Sequence, residues 1–152
     1  MRCLVSARSS ACTFALLCAL AMPACTTEAK ENAAVQAVVD DTAKKNPDIL
    51  RLTVHCATAG GQDAVAIAST LPARINKPSD PEDRQALQTG QPVVRPEPNA
   101  LDVSVPVLQQ GGKHTHVIGV TLKAQPDADK EAIKARAIEI ANAVATAIGS
   151  KH

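Results

Sequence analysis

Aromatic side chains are almost absent from this chain. It has no Trp, no Tyr and a single Phe, and that residue, Phe14, stands in an N-terminal apolar run. Ligands held by stacking, such as sugars, nucleobases, flavins and quaternary amines, are therefore excluded as expectations. Excess charge is missing too: 16 Lys and Arg stand against 15 Asp and Glu. Such a chain has no basic field, and no nucleic-acid partner is expected. Long apolar runs are also lacking. The longest, "ACTFALLCALAM", holds about 12 residues, too few to span a bilayer.

That short run has another reading. "MRCLVSARSS" carries Arg2 and Arg8 and no acid, the apolar run follows, and small residues close it. A basic start, a short apolar middle and a small-residue end make an export signal. Two cleavage points compete. Ala19-Leu20-Ala21 fits the small-x-small rule. Met22-Pro23-Ala24-Cys25 resembles a lipobox, in which Cys25 would be lipidated. Residues 1–24 are read as the signal, 25–32 as a tether and 33–150 as one domain. The expected location is the periplasm, with attachment to the outer membrane only through the lipid anchor. Cys3, Cys12 and Cys18 leave with the signal. With Cys25 acylated, Cys56 is left alone as a small buried hydrophobe; with Cys25 free, a Cys25–Cys56 bridge is open.

Periodicity orders the remainder. Val35, Val38, Val39 and Thr42 make the stripe of a helix over residues 28–45, stopped where Asn46 precedes a proline. "ILRLTVHCAT" alternates as a strand, with Leu50, Leu52, Val54 and Cys56 on one face and Arg51, Thr53 and His55 on the other. "QDAVAIAST" returns as a second strand, with Val65 and Ile67 opposite the alanines. A short helix over residues 81–88 follows, capped by Ser79 or Asp80 and closed by Gly90. "QPVVRPE" is a proline-fenced edge strand. "ALDVSVPVLQ" and "HTHVIGVTLK" form a hairpin, with Asp102 and Ser104 pointing outward. A last helix spans residues 127–148, with Ile133, Ala137, Ile140, Val144 and Ile148 as its stripe. The predicted class is α+β, with a five-stranded antiparallel sheet.

The run "AIASTLPARINKPSDPEDRQALQTGQPVV" followed by "LDVSVPVLQQGGKHTHVIGVTLK" resembles PAS-like sensor domains of the Cache type, over roughly residues 50–123. Asn76 stands where the pattern has Gly, and His114-Thr115-His116 replace an apolar strand start. The resemblance implies a PAS/Cache-like sheet with terminal helices and a short crossing helix. It also implies a small extracytoplasmic ligand held between sheet and crossing. Such sensors are ordinarily fused to output modules, and none is expected here, which makes a binding or accessory role the stronger reading.

Arg74, Lys77 and Asp80 are the candidate ligand-binding residues, because cations beside a helix N-terminus can hold a small anion. The competing reading pairs them with Asp80, Glu82 and Asp83 to anchor the loop. His114 and His116, with His55 as a possible third, are candidate ligands for a divalent metal; the simpler reading leaves them facing solvent at strand ends. No cofactor is expected. No nucleophile motif has a recognisable context, so no enzyme is expected. The expected partner is an unknown small polar molecule or an envelope protein, with an unliganded structural role as the alternative.

Overall fold

The computed structural model describes residues 29–58, 61, 63–108 and 114–149. The expected export signal, Cys25 and the tip of the second hairpin lie outside the described residues. α1 (Ala29–Lys45) already occupies residues 29–32, so the helix takes over the end of the expected tether. Its Val35, Val38 and Val39 are buried. Lys44 and Lys45 in the last turn complement the helix dipole. The Asn46 side-chain amide, through Nδ2, donates to the Thr42 carbonyl at 2.8 Å and closes the end.

Five strands follow the expected order: β1 (Ile49–Ala57), β2 (Ala64–Ser69), β3 (Val93–Glu97), β4 (Ala100–Leu108) and β5 (His114–Lys123). In space they run β2-β1-β5-β4-β3, every neighbouring pair antiparallel. The long return from β3 and β4 thus places β5 against β1 at the centre, and the proline-containing β3 is an edge strand, as its composition predicts.

One face of this sheet is the core. Leu52, Val54, Cys56, Leu101, Val103, Val105, Ile118, Val120 and Leu122 pack there against α1 and against α3 (Lys130–Gly149). Ala137, Ile140, Ala141 and Val144 supply the α3 stripe. Each fully buried Val or Leu contributes roughly 1.5–3 kcal/mol of transfer free energy. α3 starts three residues later than its periodicity predicts, because Asp129 Oδ1 accepts the Glu131 and Ala132 amides at 3.0 and 3.2 Å.

Two local features differ from the alternation. A bulge falls where Val54 faces Ala68 and His55 faces Ala66. Ile67 is the unopposed residue, and both Ile67 and Ala68 join the core, so the alanines do not share one face. Leu50, expected inward, is 45% exposed, since the β1–β5 register shifts between Ile49 and Arg51. The end of β2 is held by a side chain acting as a strand: Gln36 donates to the Ser69 carbonyl and accepts from the Ser69 amide, both at 3.0 Å.

Candidate functional site

The opposite face of the sheet is covered by the crossing segment. It begins with a single 3-10 turn, Pro72–Arg74, and reverses at Asn76, whose φ of 65° explains how Asn replaces Gly there. Residues 76–79 then run along the outer edge of β2. The Asn76 amide donates to Ala66 O at 2.8 Å, the Ala66 amide to Lys77 O at 3.0 Å, and the Ser79 amide to Ala64 O at 2.9 Å. A strand edge that would otherwise be open is therefore paired.

α2 (Pro81–Thr89) begins where the sequence predicts: Asp80 is the N-cap, Pro81 opens the first turn, and Gly90 closes the helix with φ 67°. Asp83 completes a capping box by accepting the Asp80 amide at 3.2 Å. The buried face of α2 is Asp83, Ala86 and Leu87. Ala86 and Leu87 pack on Ala57, Ala64 and Val117 in a small apolar cluster. Asp83, one turn earlier, enters polar ground.

There the sheet presents Thr53 and His55 from β1, Asp102 and Ser104 from β4, and Thr121 from β5, all buried. Asp102 and Ser104 thus point beneath the crossing, where alternation alone had read an outward face as solvent. Asp83 Oδ1 accepts the Ser104 hydroxyl at 2.6 Å, while its Oδ2 lies 3.3 Å from His55 Nε2. The other ring nitrogen, Nδ1, is 2.7 Å from Ser79 Oγ. A neutral imidazole satisfies both contacts in one tautomer: Nε2–H faces the acceptor-only carboxylate and Nδ1 accepts from Ser79. Burial pushes the His55 pKa below its ordinary 6.5; Asp83 pulls it upward and Arg74 adds to the lowering. Gly119 makes room for this meeting, because a Cβ there would stand 3.6 Å from Asp83 Oδ1 and 3.8 Å from His55 Nε2.

A second network flanks the first. Arg51 Nη2 contacts Glu97 at 3.2 Å and Asp102 at 3.1 Å. Arg95 Nη2 reaches the same two carboxylates at 2.7 and 3.2 Å, and Thr121 donates to Asp102 at 2.6 Å. Arg95 also faces Glu82 of α2 at 3.5 Å. Between the two networks lies a cavity of about 10 Å³, lined by Arg51, Thr53, His55, Arg74, Asp80, Asp83, Asp102 and Gly119. That volume suits one water and no organic molecule.

The expected residues distribute unevenly over this site. Arg74 and Asp80 line it, and both terminal guanidinium nitrogens of Arg74 lie 2.9 Å from Asp80 Oδ2. The Lys77 side chain is exposed, and it is the Lys77 backbone that pairs with β2. His55 is 2% exposed, which corrects the solvent-facing reading. His55 and His116 leave the sheet on opposite faces, because Cys56, not His55, is the register partner of His116. They cannot bind one ion together, and among the described residues no group of three His, Cys, Asp or Glu is placed to hold a metal. The side chain of His114 lies outside the described residues. Cys56 is disulfide-bonded, with its partner outside the described residues, so the isolated-thiol reading does not hold.

Sequence reasoning missed Ser79, Asp83, Asp102, Ser104 and Arg51 as members of one site. The available signal was that the non-core positions of β5 read Val117, Gly119 and Thr121, too apolar and too small for a solvated face.

No known family pattern matches the chain, and no curated protein is similar to it in sequence. Solved structures are similar in shape. The GAF-B domain of DevS from Mycobacterium smegmatis superposes with a TM-score of 0.59 at 10% identity, covering 80% of this chain and 94% of that one. The type II free methionine-R-sulfoxide reductase from Thermoplasma acidophilum gives 0.57 at 17% identity, with the same 80% and 94% coverage. The GAF domain of phosphoenolpyruvate-protein phosphotransferase from Acinetobacter gives 0.56 at 16% identity, covering 80% and 84%. This is a GAF fold. The PAS-like part of the expected architecture holds with it, since the GAF fold has the same five-stranded antiparallel sheet flanked by helices. At such identities the likeness concerns the fold alone.

Proposed function

We propose that this chain is an exported, Cache-like binding domain of the sensor type, which takes a small polar ligand between its sheet and α2. One observation carries the reading: one face of the sheet is filled with apolar side chains, while the other buries a polar cluster beside a small apolar patch. The α1/α3 side is filled with Val, Leu and Ile. The α2 side buries Thr53, His55, Ser79, Asp83, Asp102, Ser104 and Thr121. A helix covers an apolar face without the desolvation cost that polar groups carry, so a polar lining under a helix points to a polar occupant. The cavity is water-sized, and a larger ligand enters only as the crossing lifts. Arg74 and Asp80, joined at the rim and each about one-third exposed, are the groups that would exchange partners with it, with the Lys77 ammonium nearby. Thermal shifts against small carboxylic and amino acids test this. A ligand should raise the melting temperature, Arg74→Ala should abolish the rise, and silence across a broad panel would remove the reading.

Ser79, His55 and Asp83 share the residue types of a hydrolytic triad. Ser79 is only 3% exposed and does not line the cavity, which supports a structural role over a nucleophilic one. The domain is proposed to be non-enzymatic.

Export is supported by the N-terminal pattern and by the Cys56 disulfide, a bond of oxidising compartments. In a chain processed at either candidate site the only other cysteine is Cys25. One sulfur cannot carry both a lipid thioether and a disulfide. A Cys25–Cys56 bond would go with ordinary cleavage after Ala21, and a lipid anchor on Cys25 would exclude that bond.

A second reading has its own support. Asp83, His55, Ser79 and Ser104 satisfy one another without any guest, as an unliganded accessory protein of the envelope would require. The same ligand screen separates the two.

A further inference from the structure

The cavity beneath the crossing is too small for an organic molecule but open to water and to its protons. Lying against it is a buried base whose contacts tie three parts of the fold together. His55 of β1 meets Ser79 of the crossing at 2.7 Å and Asp83 of α2 at 3.3 Å, and Asp83 in turn holds Ser104 of β4 at 2.6 Å. We propose that this chain is a proton-operated latch: uptake of a proton by His55 breaks its contact with Ser79, lifts the crossing segment from the edge of β2 and opens the site beneath it, while Asp83 keeps α2 on the sheet. The latch rests on the binding reading for its purpose, though not for its measurement.

Hydrogen-bond balance supplies the mechanism. In the neutral ring Nδ1 accepts from the Ser79 hydroxyl. In the imidazolium both ring nitrogens are donors. Ser79 must then rotate and accept, and its own proton loses its buried partner. An unpaired buried donor is costly, and the crossing that carries Ser79 is held at that point by the Ser79 amide on Ala64 O at 2.9 Å. Every charged group facing the ring bears on this. Asp83 from α2, Asp80 from the crossing and Asp102 from β4 favour the imidazolium, while Arg74 opposes it. Arg51 of β1 lines the same cavity. The register partners of His55 are the uncharged Ala66 on β2 and Val117 on β5, and Gly119 of β5 lies near its Nε2. Asp83 thus keeps its hold on the ring while Ser79 loses its own, and Arg74, repelled by the new charge, is driven from the rim.

The sign follows from linkage. Burial holds the His55 pKa below 6.5 in the folded chain, so the unfolded or locally opened chain binds the proton first. The stabilisation is complete above pH 6.5 and is lost as pH falls from there toward the folded value. Acid opens the latch.

Amide hydrogen exchange on the ligand-free chain tests this, read beside the His55 ring resonances from about pH 7.5 to about pH 5. Protection factors at Asn76 and Ser79, whose amides bond Ala66 O and Ala64 O of β2, should fall by up to tenfold per pH unit below 6.5, in step with the ring titration, while those of α1 and α3 stay level. His55→Gln should make the protection of the crossing independent of pH. If that variant fails to fold, the coincidence of the two wild-type curves decides. A ring that titrates without a change at Asn76 and Ser79, a ring pKa at or above 6.5, or an unchanged pH dependence in His55→Gln would each overturn the proposal. A failed ligand screen removes the binding reading and leaves the latch, whereas flat protection removes the latch and leaves the binding reading.

Discussion

Asp83 and Ser104 meet at 2.6 Å across 21 residues of chain, one from the first turn of a helix and the other from the middle of a strand. Asp83 also accepts the Asp80 amide and faces His55. A single carboxylate thus caps α2, fixes it to β4 and sets the imidazole tautomer. Asp83→Ala should cost about 1–3 kcal/mol, the range for leaving buried hydrogen-bonding groups without their partner. Asp83→Asn should recover part of that loss, because one amide oxygen still accepts from Ser104. Urea unfolding of both variants checks the order; equal midpoints for wild type and Asp83→Ala would remove Asp83 from this central place.

Gly119 tests how closely α2 sits on the sheet. A methyl group there would make ordinary contacts at 3.6 and 3.8 Å with Asp83 and His55, so Gly119→Ala should change stability by less than about 1 kcal/mol. Gly119→Val adds bulk to a filled space and should cost about 1–3 kcal/mol. Its damage should appear in α2 hydrogen exchange before it appears in α1 or α3.

At Asn76 the backbone decides. With φ at 65°, Asn76→Gly should be nearly neutral, while Asn76→Val should lose about 1–2 kcal/mol, the penalty of the left-handed region for a side chain branched at Cβ. Thermal melts of the two variants should separate by several degrees in that order; coincident melts would mean the turn relaxes freely.

Gln36 anchors the end of β2 with a donor and an acceptor on the Ser69 backbone. Ser69 is 1% exposed, so its amide and carbonyl would lose their partners in Gln36→Ala, at a cost of about 1–3 kcal/mol. Gln36→Glu supplies no donor and should recover little, which equilibrium unfolding near neutral pH would reveal.

For Cys56, non-reducing mass spectrometry of the processed chain should find Cys56 joined to Cys25 and no acyl chain. An acylated Cys25 with a free Cys56 would restore the lipid-anchor reading. Reduction should lower the melting temperature, since closing a loop of about thirty residues is worth roughly 3–4 kcal/mol.

The elements were legible because their signals are local. The valines of α1 repeat at helical spacing, the strands alternate, and Asp80, Pro81 and Gly90 are start and stop signals that act within a few bonds. Asn76 declared a left-handed turn for the same reason. The order of helices and hairpins also held, as an α+β domain with a five-stranded antiparallel sheet.

What the sequence determined by itself is which residues form strands and helices and where the chain turns. Only the tertiary structure decided which polar residues share a place. Asp102 and Ser104 look solvated along β4 because alternation separates two faces without saying what covers each. α2 covers one of them, and that depends on chain return over tens of residues. His55 follows the same logic. Its neighbours in sequence leave it a histidine on a strand; Ser79 and Asp83, brought from 24 and 28 positions away, make it a buried base with one tautomer. Local propensity acts through the nearest bonds, whereas a site is a meeting of distant side chains, and only packing sets that meeting.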